Sequence, residues 1–124
     1  MMQMCSMGEL KFNSETITEF TKTIRANVPG ISPEDVTFEK LDTTPYDETV
    51  QLKITCSTRL SESESISYFG VLPINLKEFY GFDYFVRNGV LEIVLYKERK
   101  ENIQWLRFGY GFKTKYPKEE QLWI

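Results

Sequence analysis

From Thr49 to Arg59 the side chains alternate in character at every step, and this constrains the fold more than any other feature of the chain. Val50, Leu52, Ile54 and Cys56 fall on one side, while Gln51, Lys53, Thr55, Ser57 and Arg59 fall on the other. A period of two is that of a half-buried β-strand, because successive side chains of an extended backbone point to opposite faces. The same period recurs upstream, where Phe20, Ile24, Ala26 and Val28 alternate with Thr21, Thr23, Arg25 and Asn27 until Pro29-Gly30. It recurs again over Val36 to Leu41, after Ser32-Pro33-Glu34-Asp35, which reads as a turn into a strand. Asp42 to Glu48, with Pro45 inside it, reads as a loop.

Further along, Ser61 to Ser65 is a solvated connection of Ser and Glu alone, and Ile66 to Leu72 reads as a strand stopped by Pro73. Leu76 to Phe82 has no clear period and leaves room for one short helical turn. Tyr84 to Arg87 and Val90 to Tyr96 flank Asn88-Gly89. Both central residues of a type I′ turn need positive φ, so this dipeptide predicts a two-residue hairpin. Val90 to Tyr96 is apolar on both faces except around Glu92, as for a covered strand. Strands at this spacing joined by Pro, Gly, Asp and Ser turns predict an all-β fold, an antiparallel two-sheet sandwich.

The chain has 124 residues, which suits one domain. Hydrophobic residues make up 41% and aromatic residues 15%, a composition that argues against disorder along most of the chain. A net charge of -3 supplies no basic field for a phosphate backbone, so nucleic acid is not an expected partner. No apolar run is long enough to span a bilayer, and Met1 to Leu10 lacks the pattern of a signal peptide. The expectation is a soluble, intracellular protein with no membrane partner.

Histidine is absent, which removes the commonest general base near neutral pH and the commonest metal ligand. The carboxylate pairs Glu62 with Glu64 and Glu34 with Asp35 fall in expected solvated turns, whereas paired carboxylates that do acid and base work need burial. Gly109-Tyr110-Gly111 lacks the Lys and the Ser or Thr of a phosphate-binding loop. No catalytic residue, cofactor or metal site is expected, and the chain does not read as an enzyme. Cys5 and Cys56 form no spaced ligand pair. One disulfide is compatible with the count, while in a reducing compartment Cys56 reads as a small buried apolar side chain.

The order of landmarks is more specific than a generic sandwich. Val28-Pro29-Gly30, Pro33-Glu34-Asp35, Leu72-Pro73 and Asn88-Gly89-Val90-Leu91 follow one another with plausible gaps over Phe20 to Lys97. In this the chain resembles the alpha-crystallin domain of small heat-shock proteins, as a divergent member. The resemblance implies an immunoglobulin-like sandwich over residues 19–97, an N-terminal arm over 1–18 and a C-terminal extension over 98–124. It also implies an ATP-independent chaperone or assembly module in the cytoplasm, acting on unfolded clients, on copies of itself or on subunits of a larger complex.

Two departures bear on assembly. Only Ser61 to Ser65 stands where many members carry a long strand-exchange loop, so a swapped-strand dimer is not expected. Ile66-Ser67-Tyr68-Phe69-Gly70-Val71-Leu72 also lacks the arginine usual between two aromatics. These departures motivate a second reading, a structural subunit of a virion or another large assembly.

The extension is unusually aromatic. Trp105, Leu106, Phe108, Tyr110 and Phe112 predict a further interaction strand that packs on its own domain or on another subunit. Leu122-Trp123-Ile124 has the spacing of the Ile-x-Ile tail motif of the family. By resemblance its groove lies between Thr49 to Cys56 and Tyr84 to Arg87, lined by Leu52, Ile54, Tyr84 and Val86.

Overall fold

The computed structural model describes residues 4–41, 48–98 and 103–106. The strands are β1 (Met4–Glu9), β2 (Phe12–Ile17), β3 (Thr21–Asn27), β4 (Val36–Lys40), β5 (Thr49–Arg59), β6 (Glu64–Asn75), β7 (Gly81–Arg87), β8 (Val90–Tyr96) and β9 (Gln104–Trp105). They form two sheets with the orders β1-β6-β5-β4 and β2-β3-β8-β7-β9. The expected two-sheet sandwich is the observed fold, with one exception to the antiparallel rule. β1 runs parallel to β6, from Met4 opposite Glu64 to Glu9 opposite Phe69. These strands are joined through β2 to β5 and not by a hairpin, so no tight turn dictates their direction.

The core lies where the alternation places it. Val50, Leu52, Ile54 and Cys56 of β5 are buried together with Ile24 and Ala26 of β3, Phe82 and Tyr84 of β7, and Leu91, Ile93 and Leu95 of β8. The register explains this. In one sheet Val50 is opposite Ile74 and Leu52 opposite Leu72. In the other, Leu91 lies between Ala26 and Val86, and Ile93 between Ile24 and Tyr84. The inward side chains thus meet in rows between the sheets. On the outer face of the second sheet, Arg25 ties three strands by reaching Thr16 Oγ1 at 2.8 Å and Glu92 Oε2 at 3.5 Å.

The Asn88-Gly89 hairpin has the predicted conformation, with φ of 51° at Asn88 and 73° at Gly89. Its tip packs on another turn. The Val28 N–H donates to the Gly89 carbonyl at 2.7 Å, and Ile31 N–H closes the Val28-Pro29-Gly30 turn onto the Val28 carbonyl at 3.1 Å. Pro at the first central position and Gly30 at φ 86° at the second make that a type II turn. A side chain at Gly89 would be strained by its φ and would sit 3.3 Å from Pro29 Cα. Gly89→Val is therefore expected to cost about 1–3 kcal/mol. An unaltered urea midpoint would contradict this account of the turn.

Several expectations change in detail. Residues 1–18, expected as an arm, supply β1 and β2, one edge strand to each sheet. Pro73 does not stop its strand, since β6 continues to Asn75. The physical reason is its orientation. Leu10 N–H donates to the Phe69 carbonyl at 2.8 Å, so Phe69 directs its backbone groups toward β1. By alternation Val71 and Pro73 direct theirs the same way, beyond the end of β1, where a missing N–H breaks no ladder bond to β5. Phe20 lies outside β3 and is exposed, whereas Ile24, Ala26 and Val28 are buried as the pattern requires.

Pro33–Asp35 forms one short 3-10 turn, in which the Asp35 carboxylate accepts from the Ser32 N–H at 2.9 Å before β4 begins. After β6, Phe79 N–H donates to the Asn75 carbonyl at 3.0 Å, giving the single turn for which the sequence leaves room. Of the loop expected over Asp42 to Glu48, only Glu48 is among the described residues, and its carbonyl accepts from Leu76 N–H at 2.6 Å.

Candidate protein-contact surfaces

The proposed groove residues sit on β5 and β7, in different sheets. Leu52 and Ile54 are 0% exposed and Tyr84 is 3% exposed, so they belong to the core, and Val86 packs against that core while partly buried. Strict alternation brought Leu52 and Ile54 to the inner face, where the second sheet covers them. Phe38 of β4 stands over Tyr84 and over Phe82, with ring centroids 4.8 Å apart in each pair. This tilted geometry suits aromatic quadrupoles and seals that end of the sandwich.

The first part of the C-terminal extension packs on its own domain. β9 pairs with β7, with Gly81 opposite Trp105 and Phe82 opposite Gln104. Leu106 N–H then donates to the Tyr80 carbonyl at 3.1 Å, and its side chain is buried in the common core. Of the expected interaction strand, Trp105 and Leu106 are placed this way, while Phe108, Tyr110 and Phe112 lie outside the described residues. Leu122, Trp123 and Ile124 lie outside them as well.

A different surface escaped the sequence reading. Met7 of β1 and Phe69 and Val71 of β6 are exposed on the outer face of the first sheet. A signal for it was present, because Ile66 to Leu72 carries apolar residues in both phases of the alternation. Ile66, Tyr68 and Leu72 pack toward the core, which leaves Phe69 and Val71 facing out. Beside them a polar pair, Ser57 and Ser67, joins hydroxyl to hydroxyl at 2.9 Å.

The thiol of Cys56 is free, buried among core residues and opposite Val36 and Tyr68. Burial pushes its pKa up to about 12, with a smaller push from the Asp35 carboxylate. A thiol held neutral is a poor nucleophile. Cys56 is expected to resist alkylation by iodoacetamide in the folded protein and to react once unfolded, as followed by peptide mass spectrometry. Because the folded pKa lies above the unfolded one, stability is fully present below the unfolded thiol pKa. It falls as pH rises from there toward 12. Native labelling at neutral pH as fast as in urea would contradict this burial.

Among the described residues no group of His, Cys, Asp and Glu is placed to hold a metal ion, and no helix is long and apolar enough to cross a membrane. No protein-family model matches the sequence, and no curated protein matches it. Among solved structures the chain is similar to heat shock protein 16.0 from Schizosaccharomyces pombe. The two share 18% identity with a TM-score of 0.45, over 76% of this chain and 70% of that one.

Proposed function

We propose that the chain is a non-enzymatic module that works through protein–protein contacts, as an ATP-independent chaperone of the small heat-shock type. The observation that carries this reading is the set of large apolar side chains left on the surface of a sandwich whose core is otherwise complete. Met7, Phe69 and Val71 lie together on one sheet face, and Ile17, Phe20 and Leu60 are exposed elsewhere. Apolar surface of this kind suits contacts with other polypeptides. The order of the landmarks from Val28-Pro29-Gly30 to Asn88-Gly89-Val90-Leu91 supports the same family of activities.

The test is light scattering from a heated model client. Suppression at substoichiometric amounts supports the reading, and no protection at equimolar amounts overturns it.

A second reading, as a structural subunit of a virion or other large assembly, is favoured by one feature of the fold. β5 passes to β6 through a tight turn, with Leu60 and Ser61 N–H groups both donating to the Glu64 carbonyl at 2.9 and 3.2 Å. Nothing at that turn is long enough to be exchanged between subunits. In this reading Leu122, Trp123 and Ile124 act as a connector. Native mass spectrometry separates the two, since a chain that assembles only with a different protein fits the second.

A further inference from the structure

We propose that the outer face of the β1-β6-β5-β4 sheet is an interface between two copies of this chain, packed face to face about a two-fold axis that runs along β6. The axis residues are Phe69, 36% exposed, and Val71, 49% exposed, with Met7 beside them at 71%. The register fixes what flanks them. On the β1 side Glu9 lies opposite Phe69. On the β5 side Lys53 lies opposite Val71. The apolar strip is therefore bordered by a carboxylate on one side and, one residue pair further along, by an ammonium on the other.

Within one chain these two charges lie two strand spacings and one pleat apart, about 12 Å, which is too far for an ion pair. Neither takes part in an ion pair among the described residues, although Glu39 of β4 lies opposite Lys53 on the same face and shares its field. A two-fold along β6 exchanges left and right while keeping height along the strand. It brings Lys53 of the second copy to the β1 side of Val71, about 7 Å along the strand from Glu9 and within the span of a lysine side chain. The symmetry makes the reciprocal pair at the same time, as an isologous contact requires. Space for that lysine exists because β1 ends at Glu9 and Leu10 turns inward onto Gly70, where it is buried. Two sheets packed in this way bury their facing apolar rows about 10 Å apart. While the two copies are joined, Met7, Phe69 and Val71 are covered and client contact falls to Ile17, Phe20 and Leu60. The arrangement does not itself depend on chaperone activity, and failure of client protection leaves it untouched.

Sedimentation velocity of the full chain tests it. The intact protein is expected to sediment as a dimer, and Val71→Lys as a folded monomer whose thermal midpoint matches that of the intact chain diluted until it dissociates, because Val71 is not part of the core and only the stabilisation by association is lost. Phe69→Ser serves as a second, smaller truncation of the same strip. Glu9→Lys and Lys53→Glu are each expected to weaken association by roughly threefold to tenfold. The double variant Glu9→Lys/Lys53→Glu is expected to recover the original affinity within about twofold, as a swapped intermolecular pair does. A monomeric intact chain, a dimer that survives Val71→Lys, or a double variant weaker than either single one would each overturn the proposal. An intact chain that pairs only with a different protein would overturn it as well.

Discussion

Leu91→Ala is expected to lower the free energy of unfolding by about 2–5 kcal/mol, measured by urea denaturation. Leu91 is fully buried and central in its sheet, between Ala26 on β3 and Val86 on β7. Ala26 is too short to lean into the space the leucyl group would vacate, so the cavity term adds to the lost transfer term. For a domain of ordinary stability this is a large share of the total. Gln51→Ala is the control. It lies on β5 in the opposite phase to Val50 and Leu52 and is exposed, so it should change stability by no more than about 0.5 kcal/mol. Equally mild effects at the two sites would mean that the strands are one residue out of register.

Gly70→Val is expected to cost a further 1–3 kcal/mol, roughly, by overpacking. A Cβ at Gly70 would lie 2.8 Å from Leu10 Cβ and 3.1 Å from Leu10 Cδ1. The first of these atoms is fixed to the backbone, so no rotamer change relieves the clash. Leu10 is the residue at which the chain leaves β1 in one sheet and crosses to β2 in the other. Displacing it should loosen that crossing, with faster amide exchange in β1 than in β5. A double-mutant cycle with Leu10→Gly checks the cause, since the valine should cost less once the opposing Cβ is gone. Additive effects would place the strain elsewhere.

What was legible in the residues was local. The alternation of Thr49 to Arg59 set its own inner face, and Asn88-Gly89 set a hairpin whose register follows from a two-residue turn. Each signal lies within a dozen residues and rests on a backbone property: the pleat in one case, the cost of positive φ in the other. Val28-Pro29-Gly30 was equally plain, for the same reason. The sandwich class followed, because strands of that kind have a face to bury.

The parts that the residues did not reveal depend on partners distant in sequence. Phe12–Ile17 is polar at its four central positions and exposed beyond Phe12, which packs against the core, so most of its strand character comes from pairing with β3 and not from a face it buries. Met4–Glu9 becomes a strand only because β6 offers it an edge some sixty residues away. Pro73 reads as a strand end from its own chemistry, and it is tolerated because β1 stops short of it. The expected groove residues Leu52, Ile54 and Tyr84 show the converse. Their pattern fixed that they are apolar and inward, but which surface that inner face meets was decided by the second sheet closing over it.

The sequence by itself therefore determined the strands from β3 to β8, their phases and their tight turns, since those follow from the steric preferences of neighbouring residues. Tertiary structure alone decided which edges are paired and which apolar phase is covered. Phe69 and Val71 share a strand with Tyr68 and Leu72 and differ from them in having, among the described residues of the chain, no sheet on their side. That difference is a property of the packing of two sheets, and no single strand can encode it.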